Sequence, residues 1–448
     1  MKKFSMPHTL VLLAGAVAIA AALTWILPAG EYQRRDDPAT GKTVVVNGTF
    51  HHVEPAPVGP LAALVATPKG LEAGADVIFF VFLAGGALAV LDRTGALRGA
   101  VDGLAGLVGR HETMIIPVFC VIFGTMGAVE NLQEEIIALI PILLFVTRRV
   151  GFDGLTAAAM SVGAAMVGSA FSPVNPFQVL IAQKLAGIPV GSGAAFRTVM
   201  LLLAMALWTG ATMRYAIRTR GAPHEVADAP PVNTSPGRTK AVMVIGVAAL
   251  ALFVWGVVAQ GWGFEEMGGL FLALGIVGGL VGGLGATGTA EGFAEGFRSL
   301  AYASLLIGFA RVISVVLQEG RVMDTIVYGL FTPLVHLPLA VSAAGMVAMQ
   351  GVLHIAVPSV SGQAALTMPV LVPLSDLLGM SRQVTVLAYQ TGAGMCELLT
   401  PTNGAMMAVI AAAGVPYDKW FRFAAPVVGL LVLGALAAIY VALATGLQ

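Results

Sequence analysis

The sequence predicts an all-α polytopic membrane protein built from two inverted-topology repeats, each with a re-entrant hairpin and a broken helix. Three observations carry this reading. First, 57% of the 448 residues are hydrophobic and only 11% charged, and the mean hydropathy of +0.88 is too high for a surface that faces water. Second, apolar runs such as Leu10 to Leu27, Met243 to Val258 and Val427 to Ala444 approach the roughly 20 residues a helix needs to cross the hydrocarbon. Third, an offset of 228 positions sets Pro141 against Pro369, Leu143 against Leu371, Gly151 against Gly379, Pro173 against Pro401 and Asn175 against Asn403 without a gap. That is an internal duplication of the kind whose halves face opposite ways.

In chain order, the first apolar run lacks a small-residue cleavage site before Pro28, so it is expected to stay as the first span. Tyr32 to Pro60 carries charges, an Asp37-Pro38-Ala39-Thr40-Gly41 turn and β-favouring Thr43 to Val46, which reads as a loop with one hairpin. The N-terminal half, residues 1–217, continues with a span at Ile78 to Leu91 and an amphipathic arm at Gly95 to Val108. Two apolar segments, Met114 to Val129 and Glu134 to Val146, then flank Glu130-Asn131-Leu132-Gln133. They lie too close for ordinary spans and read as a re-entrant hairpin over about 114–146, which is tolerated only where protein or a cavity covers it. A helix interrupted at Ser172 to Asn175 and a final span close the half.

Residues 218–240, rich in proline and charge, form a cytoplasmic linker. The half 241–448 repeats the order, with a span at Leu300 to Leu317 and an arm at Arg321 to Val335. Its hairpin covers about 339–374, with the tip at Pro358-Ser359-Val360-Ser361-Gly362, and its broken helix is interrupted at Thr400 to Asn403. Counting nine spans and two hairpins places 15 of the 24 Lys and Arg inside and seven outside, leaving Lys184 and Arg311 within membrane segments. By the positive-inside rule the N-terminus is cytoplasmic and the C-terminus periplasmic in a bacterial inner membrane, with the first hairpin entering from inside and the second from outside. The net charge of zero indicates no nucleic-acid partner, and Cys120 and Cys396, in apolar stretches, form neither a disulfide nor a metal site.

Broken helices replace the water that ions shed in a bilayer: freed carbonyls coordinate cations and half-helix N-termini attract anionic groups. Pro173 removes an amide donor and disfavours helix at Ser172, while Asn175 and Asn403 can each cap a second half-helix. Simple proline kinks are the alternative. The candidate solute-binding residues are Asn131, Ser172, Asn175, Ser359, Ser361, Gly362, Gln363, Thr400, Thr402 and Asn403. Glu134, Glu135 and Glu397 are costly at membrane depth and are candidates for ion or proton coupling, as Glu130 is more weakly. Arg311 reads as a domain anchor or a partner for a solute carboxylate, and His354 as a packed polar residue or a proton relay.

Pro358-Ser-Val-Ser-Gly-Gln-Ala-Ala-Leu-Thr-Met-Pro369, Arg382-Gln-Val-Thr-Val-Leu-Ala388 and Ser172-Pro-Val-Asn-Pro-Phe177 resemble the YfcC family, which is related to the anaerobic C4-dicarboxylate carriers. The resemblance runs from about Met6 to the last span. It implies an ion-transporter superfamily fold, with a scaffold that dimerises and a transport domain of opposed hairpins and broken helices. It also implies elevator movement of a carboxylate or amino acid, coupled to sodium or protons. One departure is the stretch Glu130-Asn131-Leu132-Gln133, which is glycine-rich in that family; together with Glu397 it favours a cationic or zwitterionic solute.

The expected function is therefore secondary transport of a small carboxylate or amino-acid-like solute, as a symporter, antiporter or exchanger. No cofactor is expected other than sodium as a coupling ion, and the expected partners are the solute, the lipid bilayer and a second copy of the chain. A channel is the nearest alternative. An intramembrane enzyme is the more distant one, since no Gly-x-Ser-x-Gly, His-Glu-x-x-His or Cys-His constellation is present.

Overall fold

A computed structural model describes residues 7–96, 112–222 and 235–447. The amphipathic arm expected at Gly95 to Val108 falls almost wholly outside the described residues, as does the middle of the linker. In chain order the helices are α1 (Thr9–Ile26), α2 (Pro60–Ala73), α3 (Ala75–Arg93), α4 (Ile115–Glu130), α5 (Ile136–Arg149), α6 (Gly154–Ala170) and α7 (176–186). They continue as α8 (Ala194–Thr219), α9 (Pro236–Gln260), α10 (Phe264–Val281), α11 (Gly285–Glu319), α12 (Met323–Phe331), α13 (Leu339–Ala356) and α14 (Val360–Leu377). The last three are α15 (Arg382–Glu397), α16 (Gly404–Ala412) and α17 (Tyr417–Thr445).

Among the described residues nine helices are long and apolar enough to cross a membrane. They are not the nine spans counted from the sequence. The segments ending in α4 and α13, expected as hairpin arms, are among them, whereas the broken helices are absent because each is divided into shorter pieces.

The loop after α1 holds more structure than one hairpin. Strands β1 (Gly30–Glu31), β2 (Arg34–Asp37), β3 (Lys42–Val45) and β4 (His51–His52) form two antiparallel pairs, β2 with β3 and β1 with β4. The β2–β3 turn falls on the Asp-Pro-Ala-Thr-Gly stretch, with Asp37 opposite Lys42. Helix α2 was not legible in advance; it starts at Pro60, whose missing amide costs nothing in a first turn.

Both interrupted helices are closed by their own polar residues. Between α6 and α7 the Ser172 hydroxyl accepts from the amides of Val174 (3.0 Å) and Asn175 (2.9 Å), and Asn175 Oδ1 accepts from Phe177 N at 2.9 Å. Between α15 and α16, Asn403 Oδ1 accepts from Met406 N at 2.8 Å. Carbonyls freed at the breaks find donors: Gln390 Nε2 reaches Ser172 O at 2.7 Å, Trp420 Nε1 reaches Leu398 O at 2.8 Å, and the Tyr417 hydroxyl reaches Leu399 O. Upstream, α6 widens to a π turn at Ala159–Gly163, where Trp208 Nε1 donates to Ala159 O at 2.8 Å.

Packing is reciprocal between the halves. Helix α4 lies along α6 and α13 along α15, while α5 meets α16 and α14 meets α7. Helices α4 and α13 thus each follow the broken helix of their own part of the chain, while α5 and α14 each meet the second half-helix of the other. Small residues allow the approach: a Cβ on Gly127 or Gly168 would stand 2.0 Å from the carbonyl oxygen of Ala165 or Gly124. A second group forms around α11, which packs on α1, α2 and α3, with α10 also on α3. The two groups meet where α16 lies on α11 and α5 on α3.

Candidate functional site

At that seam lies a cavity of about 200 Å³. The loop between α4 and α5 contributes Asn131, Gln133 and Glu134, the start of α14 contributes Pro358 to Ser361, the second broken helix Glu397 and Thr402 to Ala405, and α11 Ile307, Ala310 and Arg311. A wider vestibule of about 740 Å³ adjoins it and shares Arg311, Pro358 and Ser359. The vestibule's rim is set by the loop after α1, through Glu31, Arg34 and Lys42, and by Arg321 and Asp324.

Local backbone geometry explains why the tips present polar groups. Helix α4 ends on Asn131 in the left-handed region (φ 56°), which asparagine tolerates better than most side chains, and its amide closes the helix on Gly127 O. Helix α14 begins at Ser359, whose hydroxyl accepts from the Gly362 amide.

Charge is arranged with one sign facing the other. Arg311, half-buried, forms no hydrogen bond or ion pair among the described residues although it lies mid-span. Glu134 lines the same cavity as Arg311. Glu397 is buried at 4% exposure; its Oε2 accepts from Gln133 Nε2 at 2.9 Å and its Oε1 lies 3.7 Å from His354 Nε2. Gln133 Nε2 also reaches Asn131 Oδ1 at 3.3 Å, and the Ser169 hydroxyl sits 2.5 Å from Asn131 Oδ1 and 2.8 Å from Gln178 Oε1.

Of the ten candidate solute ligands, Asn131, Ser359, Ser361, Thr402 and Asn403 line the cavity. The other five stand behind or beside it. Ser172 donates to Ala128 O at 2.5 Å and Asn175 Nδ2 to Gly127 O at 2.9 Å, so both tie the first broken helix to α4. Thr400 is hydrogen-bonded to Thr402, Gly362 faces the vestibule, and Gln363 is buried against His354. Of the coupling candidates, Glu134 and Glu397 line the cavity, whereas Glu135 is buried away from it with Oε2 lacking a hydrogen-bond partner among the described residues. Ser169, Gln178, Gln350 and Gln390 carry a signal the sequence reading did not use, a buried amide or hydroxyl on an apolar helix that must find a partner, and Gln133 carries the same signal in the loop between α4 and α5.

The chain matches the family described as DcuC, C4-dicarboxylate anaerobic carrier, over residues 6–444. It is 30% identical over 96% of its length to an Escherichia coli (strain K12) protein named "Putative basic amino acid antiporter YfcC", covering 95% of that protein. It is 28% identical to an uncharacterized Haemophilus influenzae protein, over 96% of each. Among solved structures the Alcanivorax borkumensis YdaH transporter aligns with 98% of this chain and 99% of its own at 16% identity and a TM-score of 0.43. Several apolar helices of membrane-crossing length and a match over nearly the whole chain agree that this multi-pass membrane protein is a carrier, not an enzyme, and that it belongs to the DcuC family.

Proposed function

We propose that this carrier moves a small amino-acid-like solute with a cationic group across the bacterial inner membrane, by an elevator form of alternating access. The observation that carries the reading is the bipolar cavity, in which unpaired Arg311 shares a small space with Glu134 and Glu397. A solute carboxylate would neutralise the guanidinium, and amino or guanidino groups would neutralise the carboxylates. A plain dicarboxylate would leave the two glutamates facing two further negative charges. The name of the E. coli relative agrees with this choice.

The reciprocal packing of α4–α7 with α13–α16 supports an inverted repeat whose opposed hairpins move as one body. The cavity's position at the seam with α11 supports movement past a scaffold, which would pair with a second copy. Coupling would use sodium or protons. A channel is the second reading, and saturable uptake separates the two.

The test is thermal stability of the purified protein with L-arginine, L-lysine, succinate or lactate, each with and without sodium. Stabilisation by a basic amino acid, lost in Arg311→Gln, is expected. Stabilisation by succinate alone would overturn the proposal.

A further inference from the structure

We infer that His354 and Glu397 form a proton-binding pair behind the solute cavity, and that Glu397 alternates between holding this proton and holding the solute's cation. The second half of the inference rests on the reading of the solute given above.

A chain of buried hydrogen bonds fixes the histidine's tautomer. The Thr367 hydroxyl donates to Gln363 O at 2.8 Å, so its oxygen is left to accept from Gln350 Nε2 at 2.9 Å. Gln363 Nε2 donates to the backbone carbonyl of Gln350 at 2.8 Å, which fixes the orientation of its amide. Its Oε1 therefore faces His354 Nδ1, 2.8 Å away. A carbonyl oxygen only accepts, so Nδ1 carries the hydrogen and, in a neutral ring, Nε2 is a bare lone pair.

That lone pair has no hydrogen-bond partner among the described residues and lies 3.7 Å from Glu397 Oε1. With a neutral imidazole and an ionised carboxylate, two acceptors would face each other, with the histidine nitrogen out of reach of solvent. One proton between them lets the 3.7 Å contact close into a hydrogen bond, whichever atom keeps it. Glu134 and Arg311 line the same cavity as Glu397, and Tyr389 and Cys396 lie on α15 with it, while α14 offers His354 an amide and no charge.

Glu397 also lines the cavity, whereas His354 does not. When a cationic group of the solute binds the carboxylate, the shared proton leaves; when the solute leaves, a proton returns. One positive charge replaces another at one carboxylate, which is the condition for exchanging a proton against a cationic solute. The pair belongs to one half only: at the offset of 228, the places of His354 and Glu397 are taken by Met126 and Ser169.

The test uses full-length protein carrying isotope-labelled histidine, reconstituted in lipid, with the His354 ring nitrogens identified by their loss in His354→Gln. Nε2 is expected to be hydrogen-bonded at neutral pH, to become bare as pH rises, and to become bare on adding L-arginine at neutral pH. In Glu397→Gln neither change should occur. A bare Nε2 at every pH, or the same titration in Glu397→Gln, would overturn the proton site without reference to any solute. A titrating pair that ignores L-arginine, in a protein that L-arginine nonetheless stabilises, would overturn the alternation. If L-arginine fails to bind at all, the solute reading falls while the titration still decides the proton site. In proteoliposomes, the pH gradient that accelerates wild-type L-arginine uptake several-fold should have no effect on whatever uptake His354→Gln retains.

Discussion

Lys42 Nζ donates to the Ser361 hydroxyl at 3.3 Å, tying strand β3 to the first turn of α14. The loop after α1 is thereby laid over the vestibule, and it is anchored on its other side by Arg34, which donates to Asp324 Oδ1 at 2.8 Å. A single part-buried contact of this kind contributes on the order of 0.5 to 1 kcal/mol. Lys42→Ala should therefore raise the labelling rate of a cysteine placed at Ser359 by an impermeant reagent about two- to five-fold. Unchanged labelling would mean that the strap does not govern access.

The half-helix caps give a second prediction. Asn175→Ala and Asn403→Ala should each abolish transport in proteoliposomes while the detergent-solubilised protein stays monodisperse. A lost cap costs about 1 kcal/mol, too little to unfold a chain of this size but enough to misplace cavity-lining groups. Leu180→Ala should leave the rate near that of wild type. Wild-type rate and affinity in either asparagine variant would reduce that break to a proline kink.

Arg311 gives the third. If the solute's carboxylate pairs with it, Arg311→Gln should weaken binding by about 2 to 3 kcal/mol, a loss of roughly 30- to 150-fold in affinity. Arg311→Lys should recover only part, because a single ammonium cannot form the two-pronged contact. Calorimetric titration with the stabilising amino acid reads both, and equal affinities across the three proteins would sink the assignment.

A fourth concerns acid stability at a point outside the spanning segments. Asp153 caps α6 through the Thr156 amide at 3.0 Å and receives Lys419 Nζ and the Tyr215 hydroxyl, each at 2.8 Å. Burial pushes its carboxyl upward, but these donors outweigh burial and hold it below the ordinary carboxylate value. Its contribution is therefore present above the unfolded value, about 3.9, and is lost as pH falls through the lower folded value. Asp153→Asn should lower the melting temperature at neutral pH, and the gap to wild type should close on acidification below that range. A gap independent of pH would assign the effect to packing.

The fifth is topological. A cysteine at Thr40 should react with an impermeant reagent on intact cells, and one at Ala222 only after permeabilisation, as the 15 to seven division of basic residues requires. The reverse pattern would exchange the two hairpin assignments.

The sequence by itself determined the membrane setting, the two interruptions and their caps, and the polar tips at Asn131 and at Ser359 to Gly362. Each rests on local chemistry: apolar length, proline's missing amide, the reach of an asparagine oxygen to an amide two or three residues on. Only the tertiary structure decided which polar residues share a cavity. Gln363 and Glu397 stand 34 positions apart, yet His354 touches both, and Gln133 reaches Glu397 from the other half of the chain. Helical periodicity gives no register between helices that meet across a seam, so the sequence could not set Arg311 opposite Glu134, nor show that Ser172 and Asn175 hold the wall while Thr402 and Asn403 face the cavity. Those placements follow from glycine contacts such as Gly127 on Ala165, which fix how closely and at what height one helix passes another.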